Sequence, residues 1–368
     1  MPLIAVSAVW AVFWGAWSAL LPAVKLELGL SAAQLGAALS AVPIGALPAM
    51  ALTGRLARGR ERRALMAATA LFGLTVAGLA AVTGPWQLAA ALLLLGAASG
   101  ALDVTLNLTT GRVERESGRR LFQVVHAAFP VAVIVAAPLA GLARSLGVHT
   151  GTVLVVIGLM VAATSLSLPA LPVGRGRPAP SGDPRAGHRL WGLALLLGTL
   201  AGCVLVIENA VEQWSVLLLE EHRDATPLTA SLAPSVYMAA LTAGRIAAHT
   251  LPPVPLRALY LVAGAGGAAG IALAGLGGGV PLSMAGFALT GLTLGPLVPA
   301  LLSRAAADDP TGTLVWGVST VSYTGFVVSP LLVAGLTGPF GLPVALAALG
   351  LLGLPLIARF AVIEGESA

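Results

Sequence analysis

The sequence predicts an all-α membrane protein of twelve transmembrane helices in two parallel six-helix repeats. Three observations predict it: twelve apolar runs, positive charge confined almost wholly to alternate loops, and matched segments in the two halves at a near-constant offset. The runs lie at 3–21, 32–54, 64–83, 87–110, 123–142, 150–170, 190–218, 228–249, 257–276, 281–302, 313–335 and 341–362. About 20 apolar residues at 1.5 Å per residue cross a hydrocarbon core of about 30 Å, so each run is long enough to span. Of 20 Lys and Arg residues, 17 fall in the even-numbered loops and the C-terminus, and 3 in the odd-numbered loops. Positive charge marks the cytoplasmic side, so both termini of this multi-pass membrane protein are expected in the cytoplasm. The first run lacks a basic leader and a small-residue cleavage site, and reads as a retained helix.

Composition agrees with that reading and narrows the function. Charged residues are 10% of the chain, against about 25% in soluble domains. Gly (45) and Pro (25) are plentiful, as in membrane helices that pack closely or bend. The net charge of +5 is dispersed over separate loops, which suits orientation and anionic lipid and not nucleic acid. The single cysteine, Cys203, excludes an intrachain disulfide and a Cys-based metal site. No GxxxxGK[ST], HExxH or GxSxG occurs, and GAGGAAG (264–270) misses the dinucleotide spacing. No enzymatic chemistry, cofactor or metal is expected. The expected partners are a small-molecule substrate, protons and the lipid bilayer, and the chain is expected to be a monomer.

The segment 172–189, rich in Pro, Gly and Arg, separates an N-terminal six-helix bundle (1–171) from a C-terminal one (190–368) and reads as a cytoplasmic linker. ALTGRLA (51–57) closes the second run and ALTAGRIA (240–247) closes the eighth. PLAGL from Pro138 and PLLVAGL from Pro330 end the fifth and eleventh. The glycine offset is 190 and the proline offset 192, so the repeat is parallel, as in one class of alternating-access transporters.

An ionisable residue inside a membrane helix costs about 2.5 to 3.5 kcal/mol on insertion scales, so each one retained needs a partner or a watered cavity. In the fourth run Gly96, Gly100, Asp103 and Asn107 share one helical stripe that must face protein. Asp103 lies nine residues from Arg112, about 14 Å from the cytoplasmic end. Proton or substrate chemistry is one reading of it; pinning of neighbouring helices is the other. Gln123 and His126 enter the fifth run at comparable depth, and a histidine exchanges protons near neutral pH. A buried neutral His126 bonded to a backbone carbonyl or to Asn107 is the plain alternative. Glu208 and Glu212, one turn apart in the seventh run, repel each other when both are ionised, so one is expected to hold a proton. Glu212 also reads as a vestibule residue. Trp10, Trp14 and Trp17 recur along the first run; aromatic faces suit sugar rings and flat solutes in a cavity, and simple packing elsewhere. Trp214 and Tyr323 are candidates of the same kind in the other half.

The chain resembles the major facilitator superfamily, and within it the fucose-permease-like branch with related bacterial inner-membrane transporters of unassigned substrate. The residues that carry the resemblance are WSALLPAVKLELGLSAAQLGAAL (17–39), GALDVTLN (100–107), ERESGRRLFQVVHAAF (114–129), ENAVEQWSVLLLEE (208–221), Gly244 with Arg245, GPLVPALLSRAA and YTGFVVSPLLVAGL. The resemblance implies the major facilitator fold and a secondary active transporter working by alternating access. The branch suggests uptake of a small organic solute, sugar-like, and the membrane carboxylates with His126 suggest that it is H⁺-coupled symport. Efflux of organic compounds or drugs by antiport, and a non-transporting solute sensor, are the alternatives. The family's loop signature GxxxDRxGRR is matched at Gly54, Arg62 and Arg63 only. Arg58 stands where the aspartate belongs and Glu61 where a glycine belongs, so the cytoplasmic gate needs Glu61 or Glu114 as a substitute carboxylate. Arg112 and Arg245 complete the candidate gating residues.

Overall fold

A computed structural model of the chain describes residues 2–57, 59–117, 121–171, 188–250, 254–309 and 313–365. Residues 172–187 of the expected linker, and Arg58, lie outside the described residues. Among the described residues all regular structure is helical. The helices are α1 (Pro2–Glu27), α2 (Ala32–Leu56), α3 (Glu61–Gly78), α4 (Pro85–Ser117), α5 (Phe122–Ser145), α6 (Thr150–Thr164), α7 (His188–Arg223), α8 (Pro227–Ala230) and α9 (Leu232–Thr250). Then follow α10 (Leu256–Leu261), a wide turn over Val262–Gly266, α11 (Gly267–Leu276), α12 (Val280–Leu294), α13 (Leu297–Asp308), α14 (Thr313–Ala348) and α15 (Leu354–Gly365).

Ten described stretches are long and apolar enough to cross a bilayer. The last of them, Thr313–Ala361, runs 49 residues, about 74 Å as a helix and more than twice a hydrocarbon core. It breaks at Gly341, whose φ of 77° and ψ of 158° are accessible to glycine and cannot continue a helix. It therefore holds two crossings, and α9, with 19 residues, supplies the remaining helix. The twelve runs expected from the sequence are consistent with this arrangement. Local signals set the ends: Ser31 and Gln34 form a reciprocal capping box that starts α2, with bonds of 3.2 and 2.9 Å.

The chain divides into two compact units, Met1–Ala179 with Thr226–Ser235, and Pro180–Ala225 with Val236–Ala368. The short α8 and the start of α9 thus belong with the first unit, where Ser235 Oγ donates to the Ile134 carbonyl of α5 at 2.8 Å. Backbone seams hold each unit together. In the first, Gly96 and Gly100 of α4 press on the α2 backbone at Val42 and Ala46, Gly15 of α1 meets Val133 of α5, and Gly73 of α3 meets Gly158 of α6. A Cβ added at Gly100 would come within 2.7 Å of the Ala46 carbonyl, so only glycine permits the approach. The second unit repeats the seams. Gly291 and Gly295 press on Tyr237 and Leu241 of α9, Gly325 meets Gly202, and Gly264 meets Gly353. Gly291 and Gly295 each stand 195 residues beyond Gly96 and Gly100, so the repeat read from short motifs is also a repeat of packing.

Candidate functional site

In the first unit α4 and α5 bring Asp103, Asn107 and His126 into one hydrogen-bonded line. Asn107 Nδ2 donates to Asp103 Oδ1 at 2.8 Å, and Asn107 Oδ1 lies 3.0 Å from His126 Nε2. Asp103 and Asn107 meet because i and i+4 share a helix face. An ionised Asp103 only accepts, so the Asn107 amide turns its NH₂ toward it and its oxygen toward His126, which then carries its proton on Nε2. His126 stacks on Phe122, with ring centroids 5.9 Å apart and planes 6° apart. The plain alternative, a histidine bonded to Asn107, describes the same contact; the difference lies in Asp103 at its far end.

One turn along both helices sits Trp10 of α1. Its Nε1 donates to Ser99 Oγ of α4 at 3.0 Å, and its ring meets Phe129 of α5 edge-on at 5.2 Å. Ser99 is four residues before Asp103 and Phe129 three after His126, so the indole borders the polar line on both sides. Trp14 instead meets Phe13 edge-on at 5.0 Å, and Trp17 is fully buried and stacked on Phe13. Of the three tryptophans of α1, Trp10 is therefore the one whose described contacts adjoin the Asp103 line. The clue in the sequence was Ser99, a hydroxyl on the Asp103 stripe that can hold an indole N–H. The side chain of Gln123 lies outside the described residues.

In the second unit Glu208 and Glu212 stand one turn apart on α7, both half-buried. The phenol of Tyr237 on α9, fully buried, and the guanidinium of Arg245 lie within electrostatic reach of both carboxylates. Tyr237 gave no sequence signal beyond being a tyrosine in an apolar run. On the same two helices the Oδ1 of Asn209, Nε1 of Trp214 and hydroxyl of Tyr237 are buried with no hydrogen-bond partner among the described residues. Tyr323 lies on α14 with Phe326 at 5.5 Å. Arg245 also donates from Nε to the Gly295 carbonyl at 3.2 Å.

The charged end of the first unit shows how the altered loop signature is accommodated. Glu61, at the start of α3, pairs with Arg112 of α4 at 2.6 Å, and each side chain is only 11% exposed. The other Glu61 oxygen accepts from the Gly59 N–H at 2.8 Å, and Arg112 Nε also binds Glu116 at 3.0 Å. Glu114 accepts from the Leu121 and Phe122 N–H groups at 2.6 and 3.0 Å and so caps α5. Of the two candidate substitutes, Glu61 takes the arginine and Glu114 takes the helix end. Arg62 donates to the Pro169 carbonyl at 3.3 Å, Arg63 is exposed, and Gly54 has only Val104 within reach, 3.8 Å from where a Cβ would stand. The pair Arg304 to Asp308, at 2.8 Å, repeats Arg112 to Glu116 one repeat later, 192 residues on.

The sequence model of the Major Facilitator Superfamily matches residues 3–314. The chain belongs to the major facilitator superfamily. An uncharacterized MFS-type transporter of Yersinia pestis is 30% identical over 355 residues, covering 93% of this chain and 90% of the relative. The membrane protein MosC of Rhizobium meliloti is 26% identical over 343 residues, covering 90% and 82%. Among solved structures, a mutant form of the nucleoside transporter NupG superposes with a TM-score of 0.81 at 15% identity, covering 98% of each chain. An inward-facing, unoccupied bacterial homologue of the human lysosomal transporter Spinster gives 0.76 at 14%, covering 98% and 95%. At such identities the superpositions establish the major facilitator fold. The superfamily is one of membrane solute transporters, and this chain is a multi-pass integral membrane protein of that kind.

Proposed function

We propose that the protein is a secondary active transporter that moves a small polar organic solute, sugar-like in its hydroxylated ring, by alternating access coupled to H⁺. The observation that carries the proposal is the line from Asp103 through Asn107, near the middle of α4, to the exposed ring of His126 one turn into α5, bordered by Trp10. A carboxylate there is costly unless it serves. When Asp103 takes a proton it becomes a donor; the Asn107 amide can then turn over, and His126 receives a hydrogen bond where it had given one. A single proton thus reorganises three side chains that also offer donors, acceptors and an aromatic edge to a hydroxylated ring. Glu208, Glu212 and Tyr237 offer the second unit a titratable cluster of its own, and in this reading Tyr323 and the fully buried Trp214 are the aromatic candidates of that half.

In this reading 1–171 and 190–368 move as bundles about the linker, in the bacterial inner membrane, as a monomer with both termini in the cytoplasm. The ion pair of Glu61 with Arg112 supports a moving carrier over a sensor, because a carboxylate still serves the arginine at the altered loop.

The test is a thermal-shift screen of sugars, nucleosides and small organic ions on purified protein, followed by proteoliposome transport of the compounds that stabilise it. Counterflow without a gradient, and accumulation that a protonophore abolishes, are expected. Binding without counterflow would make the protein a sensor, and accumulation indifferent to the protonophore would remove the proton.

A further inference from the structure

A cavity of about 340 Å³ opens within the first unit, at the end of its helices remote from Arg112. It is lined by α1, the connection from α3 to α4, and the start of α6, and belongs to none of the groups assigned above. Its size falls at the low end for small-molecule sites. Trp17 and Glu27 both line it from α1. They are ten residues apart, so about 15 Å of helix separates the depth of Trp17 from the rim at Glu27. Between them the walls are apolar, with Val24, Leu79, Leu88 and Leu154 among them.

Two features distinguish the cavity from a packing gap. Trp17 is 2% exposed, and its indole Nε1 is buried without a hydrogen-bond partner among the described residues. At the rim the Thr150 hydroxyl donates to Glu27 Oε1 at 2.6 Å and holds the carboxylate in place. His149 accepts from the Gly151 N–H through Nδ1 at 3.0 Å, which puts the proton of its neutral ring on Nε2.

Charge selects the ligand. Among the described residues Glu27 is the one carboxylate of the lining, and no Lys or Arg lines the cavity. Arg144, on the nearby end of α5, is turned to the Ala19 carbonyl at 2.7 Å. We infer that this cavity binds a small amphipathic organic amine, its ammonium at Glu27 and its apolar body reaching inward over the Trp17 indole. The site lies inside one unit, so it is separate from the solute path proposed above and does not depend on it.

The probes are 2-phenylethylammonium, neutral 2-phenylethanol and anionic phenylacetate, titrated calorimetrically into the full-length protein in nanodiscs. The expected order is amine over alcohol by about fivefold, the size of an exposed charge pair, with no binding of the anion. Glu27→Gln should bring the amine down to the level of the alcohol, and Trp17→Phe should weaken both by a similar factor. Glu27 is exposed, so its substitution reads charge selectivity without threatening the fold, whatever Trp17→Phe does to stability. Equal binding of amine and alcohol to the wild type, or an amine preference that survives Glu27→Gln, would overturn the inference.

Discussion

Replacing Asp103 by Asn should abolish proton-driven accumulation and leave the protein at least as stable as the wild type. Asparagine keeps the size of the side chain and can still bond Asn107, so the substitution alters charge and little else. Removing an ionised carboxylate from mid-span recovers about 2.5 to 3.5 kcal/mol on insertion scales. Against that, the 2.8 Å bond from Asn107 changes from a charge-assisted one worth about 1.5 to 3 kcal/mol to a neutral one worth about 0.5 to 1.5. The balance runs from about 0 to at most about 3.5 kcal/mol in favour of the variant, read as an unchanged or raised melting temperature of purified protein. Transport is measured in proteoliposomes, with accumulation under an imposed pH gradient compared with counterflow without one. Counterflow should survive and accumulation should not. If Asp103→Asn accumulates solute as well as the wild type per folded molecule, or melts lower with transport intact, Asp103 is a helix pin and the proton reading fails.

Glu208→Gln should retain solute exchange and lose concentration against a gradient, with a milder effect from Glu212→Gln; full pH-dependent accumulation by Glu208→Gln would confine coupling to Asp103 and His126. A double-mutant cycle of Glu61→Gln and Arg112→Gln in thermal or denaturant melts should give a coupling of about 1.5 to 3 kcal/mol, since both side chains are only 11% exposed. Additive effects would show that the pair contributes nothing to stability. Gly100→Ala should destabilise by about 1 to 3 kcal/mol because its Cβ would meet the α2 backbone, whereas Gly54→Ala, with open space around it, should stay within about 0.5 kcal/mol. In a Cys203→Ser background, a cysteine at Gly59 should label from the cytoplasm and one at Thr226 from outside; the reverse would refute the orientation.

Hydropathy and loop charge were enough to place the helices, because a bilayer demands about 20 apolar residues of every crossing and allows few alternatives. The break at Gly341 falls at the first residue of the expected twelfth run, just past the gap between two runs; a glycine in an apolar stretch does not announce a positive φ. The fourth-run stripe divided in a way that spacing alone did not reveal: its glycines serve α2 while Asp103 and Asn107 turn to His126. Spacing identified Trp10, Trp14 and Trp17 together and could not choose among them, because the choice depends on Ser99 and Phe129 of other helices. Tyr237 was hidden for the same reason, and the choice between Glu61 and Glu114 at the charged end was open for it too. Each is defined by a residue far away in the chain, and helical periodicity carries no information across helices.

The glycine seams bear on how this protein can change over time. Gly73 against Gly158, and Gly264 against Gly353, join helices backbone to backbone, so the fit is set by what is missing at those positions and not by the shape of any side chain. A joint of that kind makes almost no demand on the chemistry of its neighbours. Residues beside it can be exchanged freely among apolar types while the helices keep their spacing.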